Sequence, residues 1–208
     1  MILAAMLAGF TVLTLGRGEV PVWAGGCAGA GVLVLYILLT VARSHSIEYL
    51  NGIFEMKYRL PIFISQPYIY ISNNYDNLNC LIRDLPAHTF GVRMLYPVWA
   101  LTGLKFLFPS LVSSPLFLTK EELTTLTLFY DAYYDFGTAG VVLFSAVLGA
   151  VSFALESGMR EKHSPLLNVF FAQMAAYMTL SFFTTWFSNP ATWFYLAATA
   201  AVWLFCRV

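Results

Sequence analysis

Long uncharged stretches flank one long polar segment in this chain. The stretch Val22–Ala42 carries no charge, and about 20 apolar residues in a helix suffice to cross a bilayer. Three more uncharged apolar stretches follow towards the C-terminus, at Thr138–Leu155, Asn168–Phe187 and Ala191–Phe205. Met1–Leu15 is also apolar but shorter. The pattern predicts an all-α protein, a polytopic integral membrane helix bundle with about five spans.

The segment between these stretches, residues 43–137, has a different character. It holds seven of the eleven basic residues, eight of the eleven acidic residues and six prolines. Within it, Met94–Phe108 is apolar but short and is interrupted by Lys105. This favours a re-entrant or interfacial helix, with a tilted span as the alternative. We therefore expect two membrane segments in residues 1–42, a long extracytoplasmic loop with short amphipathic or re-entrant helices in 43–137, and three membrane helices in 138–208.

The composition supports a membrane protein and excludes several function classes. Hydrophobic residues make up 59% of the chain and charged residues 11%, against roughly 25% charged in soluble domains. The net charge is zero, which argues against a nucleic-acid partner. We find no His, Cys and carboxylate spacing typical of a metal site, no phosphate-binding glycine loop and no nucleophile elbow. No cofactor is therefore expected.

The basic residues of the short connections predict an orientation. Cytoplasmic loops carry an excess of Lys and Arg, and placing Arg160 and Lys162 inside also places Arg17 and Arg207 inside. The turn Ser188–Pro190, which has no basic residue, then falls outside, together with the long loop. This topology puts the N-terminus outside with no leader ahead of it. We therefore expect a C-terminal part of a longer protein whose upstream spans are missing.

The long loop carries side chains that could bind a sugar. Amides, tyrosines and carboxylates are dense around Asn74, Asp76 and Asn77. Planar amides and carboxylates hydrogen-bond pairs of hydroxyls, and aromatic rings stack on sugar faces. The alternative is a solvated, turn-rich loop, because Asn and Asp also favour turns.

Two arginines and a histidine in the loop have the chemistry for diphosphate transfer. Arg83 and Arg93 could clamp a diphosphate, since the guanidinium fork matches phosphate oxygens in pairs. The alternative is that both form ion pairs, Arg83 with the adjacent Asp84 and Arg93 with a more distant carboxylate. His88 is a candidate general base, or else a structural hydrogen-bonding group.

Two further carboxylates lie where the loop meets the next apolar stretch. If the chain is helical here, Asp131 and Asp135 share one face, four residues apart. A carboxylate at the edge of a membrane span is costly unless it is hydrated, paired or functional. Helix capping and a role in a reaction both remain open for this pair.

Two runs of residues in this part of the chain resemble those of a known protein family. The run Tyr-Asp-Phe-Gly-x-x-Gly at Tyr134–Gly140 opens an apolar stretch after a loop. The block Tyr70–Gly103 precedes it, with Ser-Asn-Asn-Tyr-Asp-Asn-Leu-Asn, His88, Arg93 and a Tyr-Pro pair. In this order, from about residue 68 to 187, these features are similar to the bacterial O-antigen polymerase family, the Wzy-type oligosaccharide repeat-unit polymerases.

The resemblance implies an activity. Members of this family polymerise polyprenyl-diphosphate-linked glycans at the outer face of the bacterial inner membrane, in the synthesis of lipopolysaccharide O-antigen and of capsular or exopolysaccharide. The reaction is an inverting-type glycosyl transfer in which the lipid diphosphate leaves, so no nucleotide sugar is needed. Membrane lipid, a chain-length regulator and a flippase are the expected partners.

The resemblance also implies roles for individual residues. It points to His88 or Asp135 as the catalytic base, and to substrate binding by Arg93, Arg83, Asn74, Asp76 and Asn77. Asp131 falls where the family pattern does not call for an acid, so no role is carried over to it. Family members are about twice as long as this chain, which again indicates a C-terminal part.

Two other functions compete with the polymerase. One is a non-enzymatic membrane component of polysaccharide export, and the other is an inactive, truncated polymerase. A transporter is expected to carry polar or broken helices through the membrane midplane. Here the polar groups concentrate in residues 43–137, which favours an external active site.

The predicted orientation can be tested with topology reporters. A reporter fused after Lys162 should report the cytoplasm, because the basic residues there hold that connection inside. A reporter placed at Asn77 should report the outside. Finding both reporters on the same side would contradict the topology.

Overall fold

The described part of the chain is helical. The computed structural model describes residues 60–162 and 164–205, together with 23, 27, 30, 31, 33–38, 52, 57 and 58. No strand occurs among these residues, so the predicted all-α class is confirmed for them. From residue 60 onward, the described residues form the α-helices α1 Ile62–Asp84, α2 Tyr96–Leu101, α3 Leu104–Leu107, α4 Tyr130–Lys162, α5 Pro165–Thr179 and α6 Pro190–Phe205.

The two predicted N-terminal membrane segments cannot be compared in full with the structure. Met1–Leu15 lies outside the described residues, and so does most of Val22–Ala42. Residues 33–38 are helical and largely exposed. This short stretch agrees with a helix in the second segment.

Helix α4 contains the predicted stretch Thr138–Leu155 and extends beyond it at both ends. It is interrupted at Gly137, whose φ of 63° and ψ of −152° are not helical. From Thr138 to Lys162 the helix is about 37 Å long, which exceeds the roughly 30 Å hydrocarbon core of a bilayer. In the described part of the chain, α4 is the one helix long and apolar enough to span a membrane.

Helices α5 and α6 are apolar but shorter than α4. Helix α6 begins at Pro190, one residue before the predicted start, and ends at Phe205 as predicted, whereas α5 ends at Thr179 and not at Phe187. Beyond Thr179 the chain turns, and its carbonyl groups accept hydrogen bonds from groups that are not part of α5. The Ser181 carbonyl accepts the Leu128 N–H at 2.7 Å, and the Leu180 carbonyl accepts the Trp186 indole N–H at 3.0 Å. The described residues therefore do not show five spans.

Helix α1 corrects the prediction of a polar loop. The segment Ile71–Asn79, which we expected to be a loop, lies inside this helix. The helix ends at Asp84 because Leu85 is extended, as the residue before a proline usually is. Its buried side chains recur every four residues, at Ser65, Ile69, Asn73, Asn77 and Leu81, with Asn74 beside them.

The buried amides of α1 attach this helix to the chain that leads into α4. Asn74 donates to the Phe182 carbonyl at 2.7 Å and accepts the Thr125 hydroxyl at 2.7 Å. Asn77 donates to the carbonyls of Leu123 and Thr125. Its side-chain oxygen accepts the Thr119 N–H at 2.8 Å. Both side-chain amides therefore form their hydrogen bonds with other groups of the protein itself.

Two apolar clusters surround these polar contacts. The first joins α1 to the start of α4 through Leu81, Leu126, Tyr130 and Tyr134. The second packs α4 against α5 through Leu128, Leu148 and Met174. The start of α4 is therefore held between α1 on one side and α5 on the other.

The segment Met94–Phe108 is not one continuous helix. It divides into α2 and α3 because Gly103 adopts φ 76°, a left-handed conformation that ends the first helix. Large apolar side chains of this segment are exposed, namely Leu101, Phe106 and Leu107. The predicted short helices are present, but the structure separates them by a turn.

Replacing Asn77 by alanine should destabilise the protein. The substitution leaves two carbonyls and one N–H without their partners, and each buried unpaired group costs about 1–3 kcal/mol. We expect a loss of about 2–4 kcal/mol in the free energy of unfolding, measured in detergent. Asp76→Ala is the control, because Asp76 is exposed on the same helix and should change stability by about 0.5 kcal/mol or less. Equal effects would contradict the assignment.

Candidate functional site

The interruption at Gly137 creates the surface on which the candidate site is built. A helix leaves its last carbonyl groups without intrahelical partners. Here the Tyr134 carbonyl lies 3.2 Å from Nδ1 of His88, and the Asp135 carbonyl accepts the Phe90 N–H at 3.1 Å. The segment 88–94 therefore docks on the end of the first turns of α4.

Both glycines of the Tyr-Asp-Phe-Gly-x-x-Gly run have a structural cause. The backbone of Gly137 has a positive φ, and a Cβ atom added there would lie 2.9 Å from Nε2 of His88. At Gly140 it would lie 2.5 Å from the Ala132 carbonyl oxygen and 2.6 Å from Cβ of Phe136. Neither position has room for a larger side chain without a shift of the backbone or of a packed ring.

The carboxylate of Asp135 holds the docked segment. Its Oδ1 accepts the Thr89 hydroxyl and, at 3.2 Å, the Arg93 N–H. Its Oδ2 accepts the Met94 N–H at 2.7 Å. Asp135 is 0% exposed, and it lines neither of the two cavities described here. A substrate can reach this carboxylate only if the segment first moves away.

His88 also serves the docking of the segment. A carbonyl oxygen can only accept a hydrogen bond. Nδ1 of His88 must therefore carry the proton and donate the hydrogen bond to the Tyr134 carbonyl oxygen. The ring also packs edge-on against Tyr133, with centroids 6.0 Å apart. His88 is exposed and does not line either cavity. In this arrangement its hydrogen bond is structural, as the alternative interpretation of the sequence allowed.

Arg93 is the residue that the docked segment delivers to a cavity. Its Nε donates to Oδ1 of Asp131 at 2.7 Å. Its guanidinium lies 4.7 Å from the ring centroid of Tyr134 and 5.5 Å from that of Tyr130. The side chains of Arg93 and Asp131 are 15% and 5% exposed. Within the described residues, the terminal amino groups of Arg93 form no hydrogen bond.

The cavity beside Arg93 has about 740 Å³ and a mixed lining of polar and apolar side chains. Two cationic side chains, Arg93 and Lys105, line it together with one carboxylate, Asp131. Hydroxyl and amide groups complete the polar lining, from Tyr96, Ser114, Thr184, Thr185, Ser188 and Asn189. This set can bind an anion with two charges and hydrogen-bond the hydroxyls of a sugar.

The other predicted site residues lie apart from this cavity. Asn74 and Asn77 are 0% exposed and bonded to the protein. Asp76 is exposed on α1 and does not line the cavity. Arg83 pairs with Asp84 at 2.8 Å, and this guanidinium holds the pKa of the Asp84 carboxyl below its usual value. Arg83 therefore forms the ion pair with Asp84 that the alternative interpretation expected.

Two charged residues that were not expected at the site from the sequence, Asp131 and Lys105, line the cavity. Asp131 was left without a role because the family pattern has no acid there, yet it pairs with Arg93. The spacing of four residues from Asp135 was the available signal, since the docked segment contacts both carboxylates. Lys105 was treated as an interruption of an apolar stretch, and only the turn between α2 and α3 shows where it lies.

Substituting Gly137 by alanine should release the docked segment. The new Cβ would be strained by the positive φ and would collide with His88, at a cost of about 1–3 kcal/mol. We expect faster trypsin cleavage after Arg93 in the folded protein. The control is Gly149→Ala, because a Cβ at that position meets nothing within 4 Å and alanine favours a helix. Equal cleavage rates would show that Gly137 does not control the segment.

Comparisons with known proteins do not place the chain in a family. No family model, no curated protein and no solved structure matches it. The function proposed below therefore rests on the residues of this chain and on their geometry.

Proposed function

We propose that this chain forms the catalytic part of an oligosaccharide repeat-unit polymerase in a bacterial inner membrane. Its substrates are polyprenyl-diphosphate-linked glycans, and it transfers the glycan of one to a hydroxyl group of another. The observation that carries the proposal is the cavity in which Arg93 is fixed between Asp131 and the Tyr134 ring. The sequence resemblance points to the same part of the chain, because it includes Arg93 and the Tyr134–Gly140 run.

The membrane location is supported by the exposed face of α4. Only 11% of its most apolar stretch is buried, so it is unlike the core helix of a soluble protein. Its exposed side chains include Val142, Leu143 and Phe153. An apolar surface of this length suits lipid. In this placement the cavity lies near the end of the span, at the depth of lipid headgroups.

Arg93 and Lys105 bind the diphosphate in this proposal. The bond from the sugar to the diphosphate breaks in the reaction, and its electron pair goes to the diphosphate oxygen. A fixed cation stabilises that developing charge. Asp131 and the Tyr134 ring restrict Arg93 to one orientation. The terminal amino groups of Arg93 are left to contact two oxygens of the diphosphate.

Asp131 is the best-placed base. It is the only carboxylate of the described residues that lines the cavity, and it is one of the two cavity residues that reach the neighbouring groove. Its Oδ1 accepts from Arg93, which leaves Oδ2 for the acceptor hydroxyl. The proton of that hydroxyl passes to Oδ2 as the new glycosidic bond forms. This replaces the base role expected for His88 or Asp135, whose contacts hold the docked segment.

The proposal predicts that Arg93→Lys removes most long-chain glycan. Lysine keeps the charge but lacks the planar guanidinium group, which can form hydrogen bonds to Asp131 and to the diphosphate at the same time. Losing one such contact to a developing anion costs about 3 kcal/mol, or about a hundredfold in rate. Polymer length is measured on gels of glycan from cells that carry the substitution in their own gene. Arg83→Lys is the control and should leave the polymer nearly unchanged.

The protein must reach normal levels in the membrane for this comparison to count. Arg93→Ala leaves the Asp131 carboxylate buried without its partner. The double variant Arg93→Ala with Asp131→Ala removes both charges, and it is the control for protein level and not for activity. Near-normal polymer from Arg93→Ala at normal protein level would show that Arg93 is only a structural ion pair.

A further inference from the structure

A second cavity lies between the three long C-terminal helices. It has about 720 Å³ and opens to the outside as a groove. Its apolar walls come from α4, α5 and α6 through Val147, Val151, Phe170, Met174, Trp193 and Ala197. Among the described residues that line it, Asp131 is the only charged one. This cavity is called the apolar groove below, and the cavity of Arg93 the polar cavity.

The apolar groove adjoins the polar cavity. Asp131 and Ser188 line both. At the boundary, Arg93 lines the polar cavity while the next residue, Met94, lines the apolar groove. Between Phe144 and Leu155 the groove runs along α4 for about 16 Å. The two cavities therefore form one amphipathic site, with cations at one end and hydrocarbon at the other.

The charges of this combined site specify the chemistry of its occupant. Arg93 and Lys105 attract an anionic group to the polar cavity. The apolar groove offers no cation or hydrogen-bonding amide to a second polar group. The occupant must therefore carry an anionic head and an apolar chain on the same molecule.

We propose that the apolar groove binds the hydrocarbon tail of the polyprenyl diphosphate whose head lies in the polar cavity. This inference rests on the proposed function, because it uses the same head-binding site. It adds a tail-binding site on α4, α5 and α6. A tail in the groove fixes the direction from which the diphosphate enters, so that the glycan extends away from the membrane.

The benefit of the groove lies in orientation. A bilayer is as apolar as the groove, so moving a tail from lipid to protein gains little by the hydrophobic effect. Holding both ends of one molecule restricts the positions of the reacting group. The head should therefore direct the tail into the groove, and a blocked groove should leave the tail in the bilayer.

Photo-crosslinking in lipid nanodiscs tests this site. The probe is a polyprenyl diphosphate with a diazirine on its tail, and the crosslinked peptides are identified by mass spectrometry. We expect crosslinks to α4 and α6 residues of the groove, such as Val151 and Ala197, and competition by unlabelled polyprenyl diphosphate. Arg93→Lys should reduce these crosslinks by about tenfold or more, since the head no longer anchors the tail.

Two neighbouring alanines of α6 provide a matched pair. Ala197 lines the groove and Ala198 does not, and both are exposed. Ala197→Trp should reduce crosslinking of the tail to the groove by about tenfold or more, because the indole occupies the place of the tail, and Ala198→Trp should not. Val151→Trp fills the groove from α4 and should repeat the effect. Helix content by circular dichroism shows whether each variant is folded.

The outcomes separate this inference from the proposed function. Tail crosslinks in the groove without any glycan transfer would support the tail site and count against the polymerase. Equal labelling by a diazirine phosphatidylcholine, unaffected by Arg93→Lys, would assign the groove to ordinary membrane lipid and overturn the inference. Absence of labelling by either lipid would also overturn it, and would indicate that protein covers the groove. Polymer length in the Arg93 variants tests the proposed function separately, because that measurement does not depend on where the tail lies.

Discussion

The contact between the Asp135 carboxylate and the backbone of Arg93 and Met94 organises the rest of the site. Two N–H groups and the Thr89 hydroxyl converge on this one buried carboxylate. Hydrogen bonds to a charged acceptor contribute about 1.5–3 kcal/mol each. This contact fixes a short segment to a helix far from it in sequence. The position of the Arg93 side chain follows from it.

The interruption of α4 at Gly137 makes that contact possible. It ends the first helical turns within reach of the segment, so that the carbonyls of Tyr134 and Asp135 bond the loop as well. The same turns carry Asp131, which orients Arg93 at the cavity. One local break thus places an ion pair at the end of an apolar helix. That position is suited to a charged headgroup whose tail extends into the apolar groove, which is the chemistry the proposed function requires.

The sequence predicted the apolar helices better than the polar ones. The stretch in α4 and the bounds of α6 follow from uncharged residues alone. Helix α1 was mistaken for a loop because Asn73, Asn74 and Asn77 favour turns, although they recur with Leu81 on one buried face. Only tertiary contacts reveal that the amides of Asn74 and Asn77 bond the protein and not a sugar. The ion-pair alternative for Arg93 agrees with its contact to Asp131, although the sequence analysis did not name that partner.

Amide hydrogen exchange across residues 88–95 tests the central claim most directly. Asp135→Asn replaces one acceptor oxygen by a donor, which must face an N–H of Arg93 or Met94. Without substrate present, we expect this segment to lose its protection while the residues of α1 keep theirs. Unchanged protection together with loss of polymer would contradict the account, because Asp135 would then act in the reaction and not as the support of Arg93.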